Sequence, residues 1–262
     1  MSEGQSEDQK VLGKFVWRNL VTNDIDQAIR FYTSLFGWTI QEADMGPGGT
    51  YKMIHTAGTE HGGFMTLDPS TGAPPHWVSY CTVDDVASAV ATSEKHGGKT
   101  LVPPTDIPGV GTFSMIADPQ GAVISPFKPV TWAGEGITQP WPVGTFCWQE
   151  LHAIDPEGEG KFHAEVFGWK VSSMDAGMGT YYLLKRDNGV DGGGMLPKPA
   201  GRPGPSAWLP YIAVENTHES TTKITELGGK IWVQPTDIPN VGRFAVATDP
   251  QGAHFAILGP SS

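Results

Sequence analysis

Cysteine is scarce. Cys81 and Cys147 are the only two in 262 residues, which rules out a disulfide framework. Two thiols in a chain of this size read as small core hydrophobes in a reducing compartment. No apolar run is long enough to span a bilayer, so no membrane partner is expected. The stretch Met1–Lys10 is polar and acidic and lacks the charged-then-apolar order of a signal peptide; a cytoplasmic location is the expectation. Positive charge is also short, with 17 Lys and Arg against 28 Asp and Glu for a net −11. No basic stripe is present to neutralise phosphates, and nucleic acid is therefore excluded as a partner.

Glycine (34) and proline (22) are plentiful, which favours many short strands and turns. Hydrophobic residues at 39% and aromatics at 10% are enough for real cores. The length suits two domains better than one.

The chain repeats itself. Trp17 and Trp148 stand 131 apart (148 − 17), and the same offset relates Phe36-Gly37-Trp38 to Phe167-Gly168-Trp169. It also relates Gly97-Gly98-Lys99 to Gly228-Gly229-Lys230, Pro104–Pro108 to Pro235–Pro239, and Asp118-Pro-Gln-Gly-Ala122 to Asp249-Pro-Gln-Gly-Ala253. A register kept this long is a duplication. The expected organisation is a polar tail over 1–10, a first domain over 11–130, a linker over 131–142 and a second domain over 143–260. Trp132 and Trp141 suggest a linker packed against a domain.

Within the first domain, Lys14–Val21 reads as a strand. Ile25, Ala28, Ile29, Tyr32, Leu35 and Phe36 then recur at helical spacing between a capping Asn23 or Asp24 and a closing Gly37. Strands are expected over Trp38–Ala43, Thr50–Thr56 and Gly62–Leu67. A second βαβββ unit starts at Trp77–Val83, with its helix from Asp84 to about His96. Pro104–Pro108 reads as a rigid turn entering a strand, and both Asp-Pro-Gln-Gly segments as tight turns. The second domain repeats the order from Gly144 and from Trp208. Its first helix, Pro156–Phe167, carries Gly158 and Gly160 and is the weakest of the four.

Four βαβββ units with Phe-Tyr…Leu-Phe-Gly-Trp after the first helix resemble the vicinal oxygen chelate superfamily. So do Val-Asp-Asp at a helix start, Gly-Gly-Lys at a helix end, and Asp-Pro-Gln-Gly before the last strand. That superfamily holds glyoxalase I, extradiol dioxygenases, and fosfomycin- and bleomycin-resistance proteins. The tandem layout is similar to the two-domain glyoxalase-like proteins named for a secreted mycobacterial antigen. The resemblance implies an α+β fold, with four βαβββ modules paired into two glyoxalase-like domains with cupped mixed β-sheets. It also implies a divalent metal held by first and last strands. Here those positions fall on Trp17, Val78, Trp148, Leu209, Ser125 and Ala256, with Met65 and Met195 the nearest counterparts in the shorter units. None is a ligand for a hard dication, and the eight histidines form no close ligand pair. No cofactor and no metal are therefore expected.

On the strand Phe146–His152, alternate residues Phe146, Trp148, Glu150 and His152 share a face. A carboxyl buried beside indoles holds its proton tightly, which suits Glu150 to proton transfer; the structural alternative is a hydrogen-bonded strut between sheets. His152 lies two residues on, and His254 faces the same cleft from the closing strand. Glu150, His152 and His254 are thus the expected catalytic cluster. Trp17, Asn19, Trp148 and Tyr211 are the expected substrate-binding residues, with core packing as the alternative for the tryptophans. In the first domain Asn19 replaces Glu150, so chemistry is expected in the second. The expected function is binding of a small aromatic or carbonyl-bearing molecule in a metal-free cleft, with Glu150 moving a proton. The alternatives are a sequestering resistance protein, a metal-dependent lyase or dioxygenase, and an interaction protein. The chain is expected as a monomer or homodimer.

Overall fold

The computed structural model describes residues 10–46, 49–132, 140–175, 179–201 and 204–261. Residues 1–9 of the expected tail and 133–139 of the expected linker lie outside the described residues.

Each quarter of the chain is a βαβββ module. The first is β1 (Phe15–Thr22), α1 (Ile25–Phe36), β2 (Thr39–Asp44), β3 (Thr50–Thr56) and β4 (Thr59–Thr66). The second is β5 (His76–Thr82), α2 (Val86–Lys95), β6 (Lys99–Ile107), β7 (Gly111–Ala117) and β8 (Val123–Pro129). The third is β9 (Phe146–Ala153), α3 (Pro156–Phe167), β10 (Lys170–Asp175), β11 (Thr180–Lys185) and β12 (Asp191–Pro197). The fourth is β13 (Ala207–Ala213), α4 (Thr217–Glu226), β14 (Lys230–Ile238), β15 (Gly242–Thr248) and β16 (His254–Gly259). The strands make two open, mixed eight-stranded sheets, ordered β2-β3-β4-β1-β5-β8-β7-β6 and β10-β11-β12-β9-β13-β16-β15-β14. The architecture is α+β.

Local chemistry explains the helix ends. The Asp24 side chain accepts the Gln27 N–H at the start of α1, and Gly37 closes it in the left-handed region at φ 70°. In α3 the equivalent Asp155 makes no side-chain capping bond, although the helix still runs its expected twelve residues. Pro104–Ile107 differs from the expected turn. It belongs to β6, an edge strand whose register slips twice against β7, so its prolines remove no needed ladder bond. The chain turns only after Ile107.

By packing, the chain divides into two compact units that alternate along the sequence. One comprises Met1–Val16, Ser79–Gln139 and Gln149–Trp208; the other comprises Trp17–Val78, Pro140–Trp148 and Leu209–Ser262. Packing boundaries thus differ from the repeat boundaries. In the first unit α2 packs on α3 over a core that includes Val86, Ile116, Leu151, Phe162, Trp169 and Trp208. In the second, α1 meets α4 over Leu20, Phe31, Tyr32, Trp38, Trp77 and Phe255. Among the described residues, no helix is long and apolar enough to cross a membrane.

Candidate functional site

β9 is buried along nearly its whole length, and from Gln149 onward it belongs to the α2/α3 unit. Leu151 and Ala153 join the apolar core, so alternation turns Glu150 and His152 to the opposite face. Both are buried, at 5% and 6% exposure. Glu150 Oε1 lies 2.9 Å from His152 Nε2. Glu150 Oε2 accepts the Tyr181 hydroxyl of β11, also at 2.9 Å. The register sets up this approach: Glu150 stands opposite Gly194 on β12, and a β-carbon at Gly194 would lie 1.9 Å from Tyr181 Oη. A carboxyl held between an imidazole and a phenol can accept or pass a proton on either oxygen.

The α1/α4 unit repeats the arrangement without an ionisable centre. Asn19, opposite Gly63, accepts bonds at Oδ1 from Trp17 Nε1 (3.1 Å) and from the Tyr51 hydroxyl. Its Nδ2 donates to Met65 Sδ at 3.2 Å. Trp17 Nε1 also reaches Tyr51 Oη at 3.0 Å. A β-carbon at Gly63 would meet Tyr51 Oη at 2.2 Å, so glycine makes room for the phenol in both units.

The other expected residues sit elsewhere in the α1/α4 unit. Trp148 is half-buried against a small core that contains Tyr211, itself buried with its ring 6.3 Å from Phe244. His254 is half-buried at the start of β16, its ring 5.8 Å from Trp232. Glu150 and His152 therefore come together in one unit while His254 belongs to the other. Sequence reasoning missed Tyr181 and Tyr51, because a one-residue shorter loop moves this pair to an offset of 130 (181 − 51). It also missed a buried cluster of Asp118, Glu159 and His163. The signal there was a Glu and a His four apart on a helix. A cavity of about 420 Å³ lies apart from both sites, bordered by Asp106, Pro108, Thr112, Lys128 and Trp132.

A sequence profile described as the Glyoxalase/Bleomycin resistance protein/Dioxygenase superfamily matches residues 14–125. A Mycobacterium tuberculosis protein named "Putative glyoxylase CFP32" is 35% identical over 249 residues, covering 94% of each chain. The chain belongs to this superfamily. Another relative of this glyoxalase superfamily protein is the anthracycline biosynthesis protein DnrV of Streptomyces peucetius. It is 28% identical over 271 residues, covering 94% of this chain and 93% of the relative. The fold is also similar to the Mn(II)-bound glyoxalase from Novosphingobium aromaticivorans, with TM-score 0.63 and 17% identity over 94% of this chain and 82% of that one.

In this superfamily member, the strand positions expected to hold a metal do not fit one. Trp17 and Trp148 offer only indole N–H groups, and Met65 Sδ already accepts from Asn19. Ser125 Oγ is spent on the Ser114 carbonyl at 2.6 Å, while Val78, Leu209 and Ala256 carry no donor atom.

Proposed function

We propose that this protein binds a small aromatic or carbonyl-bearing molecule, and that Glu150 moves a proton on it without a catalytic metal. The supporting observation is the pair of hydrogen bonds that hold the buried Glu150 carboxyl between His152 and Tyr181. Glu150 takes a proton from an acidified C–H or O–H of the ligand and returns it at a second atom. That is an isomerisation needing no other reagent. His152 and Tyr181 keep the carboxyl oriented and share the charge that develops on it. Two relatives' names, a putative glyoxylase and an anthracycline biosynthesis protein, lend this reading support.

A second reading, sequestration without turnover, is favoured for the α1/α4 unit by Asn19, which replaces the carboxyl with an amide that cannot ionise. Trp17 and Tyr51 then offer a flat, hydrogen-bonding surface for an aromatic ligand.

Two probe sets test both readings: 2-oxoaldehyde–thiol adducts and planar aromatic quinones, followed by tryptophan fluorescence for binding and by absorbance for product. Glu150→Gln is expected to lower turnover by about 10²–10⁴-fold with ligand binding retained. Turnover equal to that of the unaltered protein would remove Glu150 from the mechanism. Stoichiometric binding with no product from any probe would leave sequestration as the function.

A further inference from the structure

Asp118 opens the turn between β7 and β8. Its Oδ1 accepts the Gln120 and Ala122 N–H groups at 3.1 and 2.7 Å, which fixes the carboxylate plane. Oδ2 is left facing His163 of α3, 3.4 Å from Nε2. Glu159, one helical turn before His163, brings Oε2 to 3.3 Å from the same nitrogen. Glu159 and His163 are fully buried and Asp118 is 4% exposed. Asp118 Oδ2, both Glu159 oxygens and both His163 nitrogens close no well-aligned hydrogen bond; His163 Nε2 faces the two carboxylates only as long ion pairs. Trp208 Nε1 also lacks a partner; this indole is 7% exposed and lies edge-on to His163, with ring centroids 5.3 Å apart.

The other unit shows what this place looks like when satisfied. Moving each residue by 131 places (118 to 249, 163 to 32, 159 to 28, 208 to 77) gives Asp249, Tyr32, Ala28 and Trp77. There the Tyr32 hydroxyl donates to Asp249 Oδ2 at 3.2 Å and accepts the Trp77 N–H at 3.3 Å. Two differences, Tyr to His and Ala to Glu, convert that satisfied relay into three convergent ligand atoms with an idle indole N–H beside them.

Two buried carboxylates and one imidazole balance their charge only if one carboxyl keeps its proton or a cation joins them. Burial pushes Glu159 up to about 7, opposed by the facing His163. Burial also works against the charged imidazole, but the Asp118 and Glu159 carboxylates outweigh it and hold His163 above its ordinary value. Geometry carries the indication of a cation. Contacts of 3.3 and 3.4 Å are long for charge-assisted hydrogen bonds, which run about 2.7–2.9 Å. They match the ligand–ligand edges, about 3.3–3.6 Å, of a tetrahedron with metal bonds of about 2.0–2.2 Å.

We propose that Asp118, Glu159 and His163 form a binding site for a single zinc-type divalent cation, with a water as fourth ligand hydrogen-bonded by Trp208. The ligand atoms all lie within 4.8 Å of one another. Two carboxylates and a neutral imidazole cancel the dication's charge, and the backbone bonds to Asp118 Oδ1 supply the outer support that metal-bound carboxylates need. The site is a structural clamp. It ties α3, which contains two glycines and has no side-chain cap, to the turn after β7. This site is separate from Glu150 and independent of the function proposed for it.

The test is metal analysis of the full chain purified without chelator, followed by stripping and thermal melting with and without added Zn(II). About one zinc per chain is expected, with a melting point at least about 4 °C higher when loaded. Cobalt substitution should give the visible absorption of a tetrahedral site. Glu159→Ala combined with His163→Tyr installs the other unit's satisfied network; it should fold and lose both metal and melting shift. Glu159→Gln keeps the shape if that double variant fails to fold, and should weaken zinc binding at least tenfold. A stripped protein whose melting ignores zinc overturns the proposal. So does zinc binding that is unchanged in a folded variant.

Discussion

The Tyr181 hydroxyl reaches Glu150 Oε2 through space that a glycine at 194 leaves open. Gly194→Ala should therefore break this bond rather than merely crowd it. The expected cost is about 1–3 kcal/mol in urea unfolding, together with the loss of any Glu150-dependent turnover. Tyr181→Phe should reproduce the loss of turnover without the crowding. A Gly194→Ala protein as stable and active as the original would show that the phenol is not held there.

Tyr32 bridges Asp249 and Trp77 in the core of the α1/α4 unit. Tyr32→Phe leaves a buried carboxylate oxygen and an indole N–H unpaired and is expected to destabilise by about 1–3 kcal/mol. Urea midpoints at unchanged slope would record it. A shift within error would mean that water replaces the hydroxyl.

Burial raises Asp249 above its ordinary value, against the backbone N–H groups of Ala253 and Gln251 that favour the charged form. The sign follows from linkage. The folded state binds this proton more tightly, so Asp249's contribution to stability is present below the unfolded carboxylate range and is lost as pH rises through the folded value. Asp249→Asn should flatten that limb of the curve. Urea midpoints taken from about pH 3 to about pH 7 would show it as a smaller decline than in the unaltered protein. An equal decline would assign the slope to other groups.

Cys147 is 7% exposed, and burial pushes its thiol up to about 12. Cys81 is completely buried. With the thiol held this far above its ordinary range, a disulfide reagent at pH 8 should label almost nothing in the folded protein and two equivalents after denaturation. Rapid labelling of one equivalent in the native state would contradict this burial.

Much of the architecture was legible because periodicity and duplication are local properties. Helical spacing from Ile25 to Phe36, a capping Asp24 and a closing Gly37 defined α1 before any packing was known. Alternation along β9 likewise placed Glu150 and His152 on one face. The prolines after Val102 misled, since whether proline means turn or edge strand depends on having one neighbour or two, and β6 has one.

By itself the sequence determined the four modules and the carboxyl–imidazole pair on one strand, because each follows from spacing along the chain, while its motifs carried the resemblance to the superfamily. Only the tertiary structure decided which groups stand next to them. Tyr181 reaches Glu150 by antiparallel register across β11 and β12, and Asp118 meets Glu159 and His163 because α2 and α3 bury their apolar faces in one core. Such meetings are set by non-local burial, which no separation along the chain encodes.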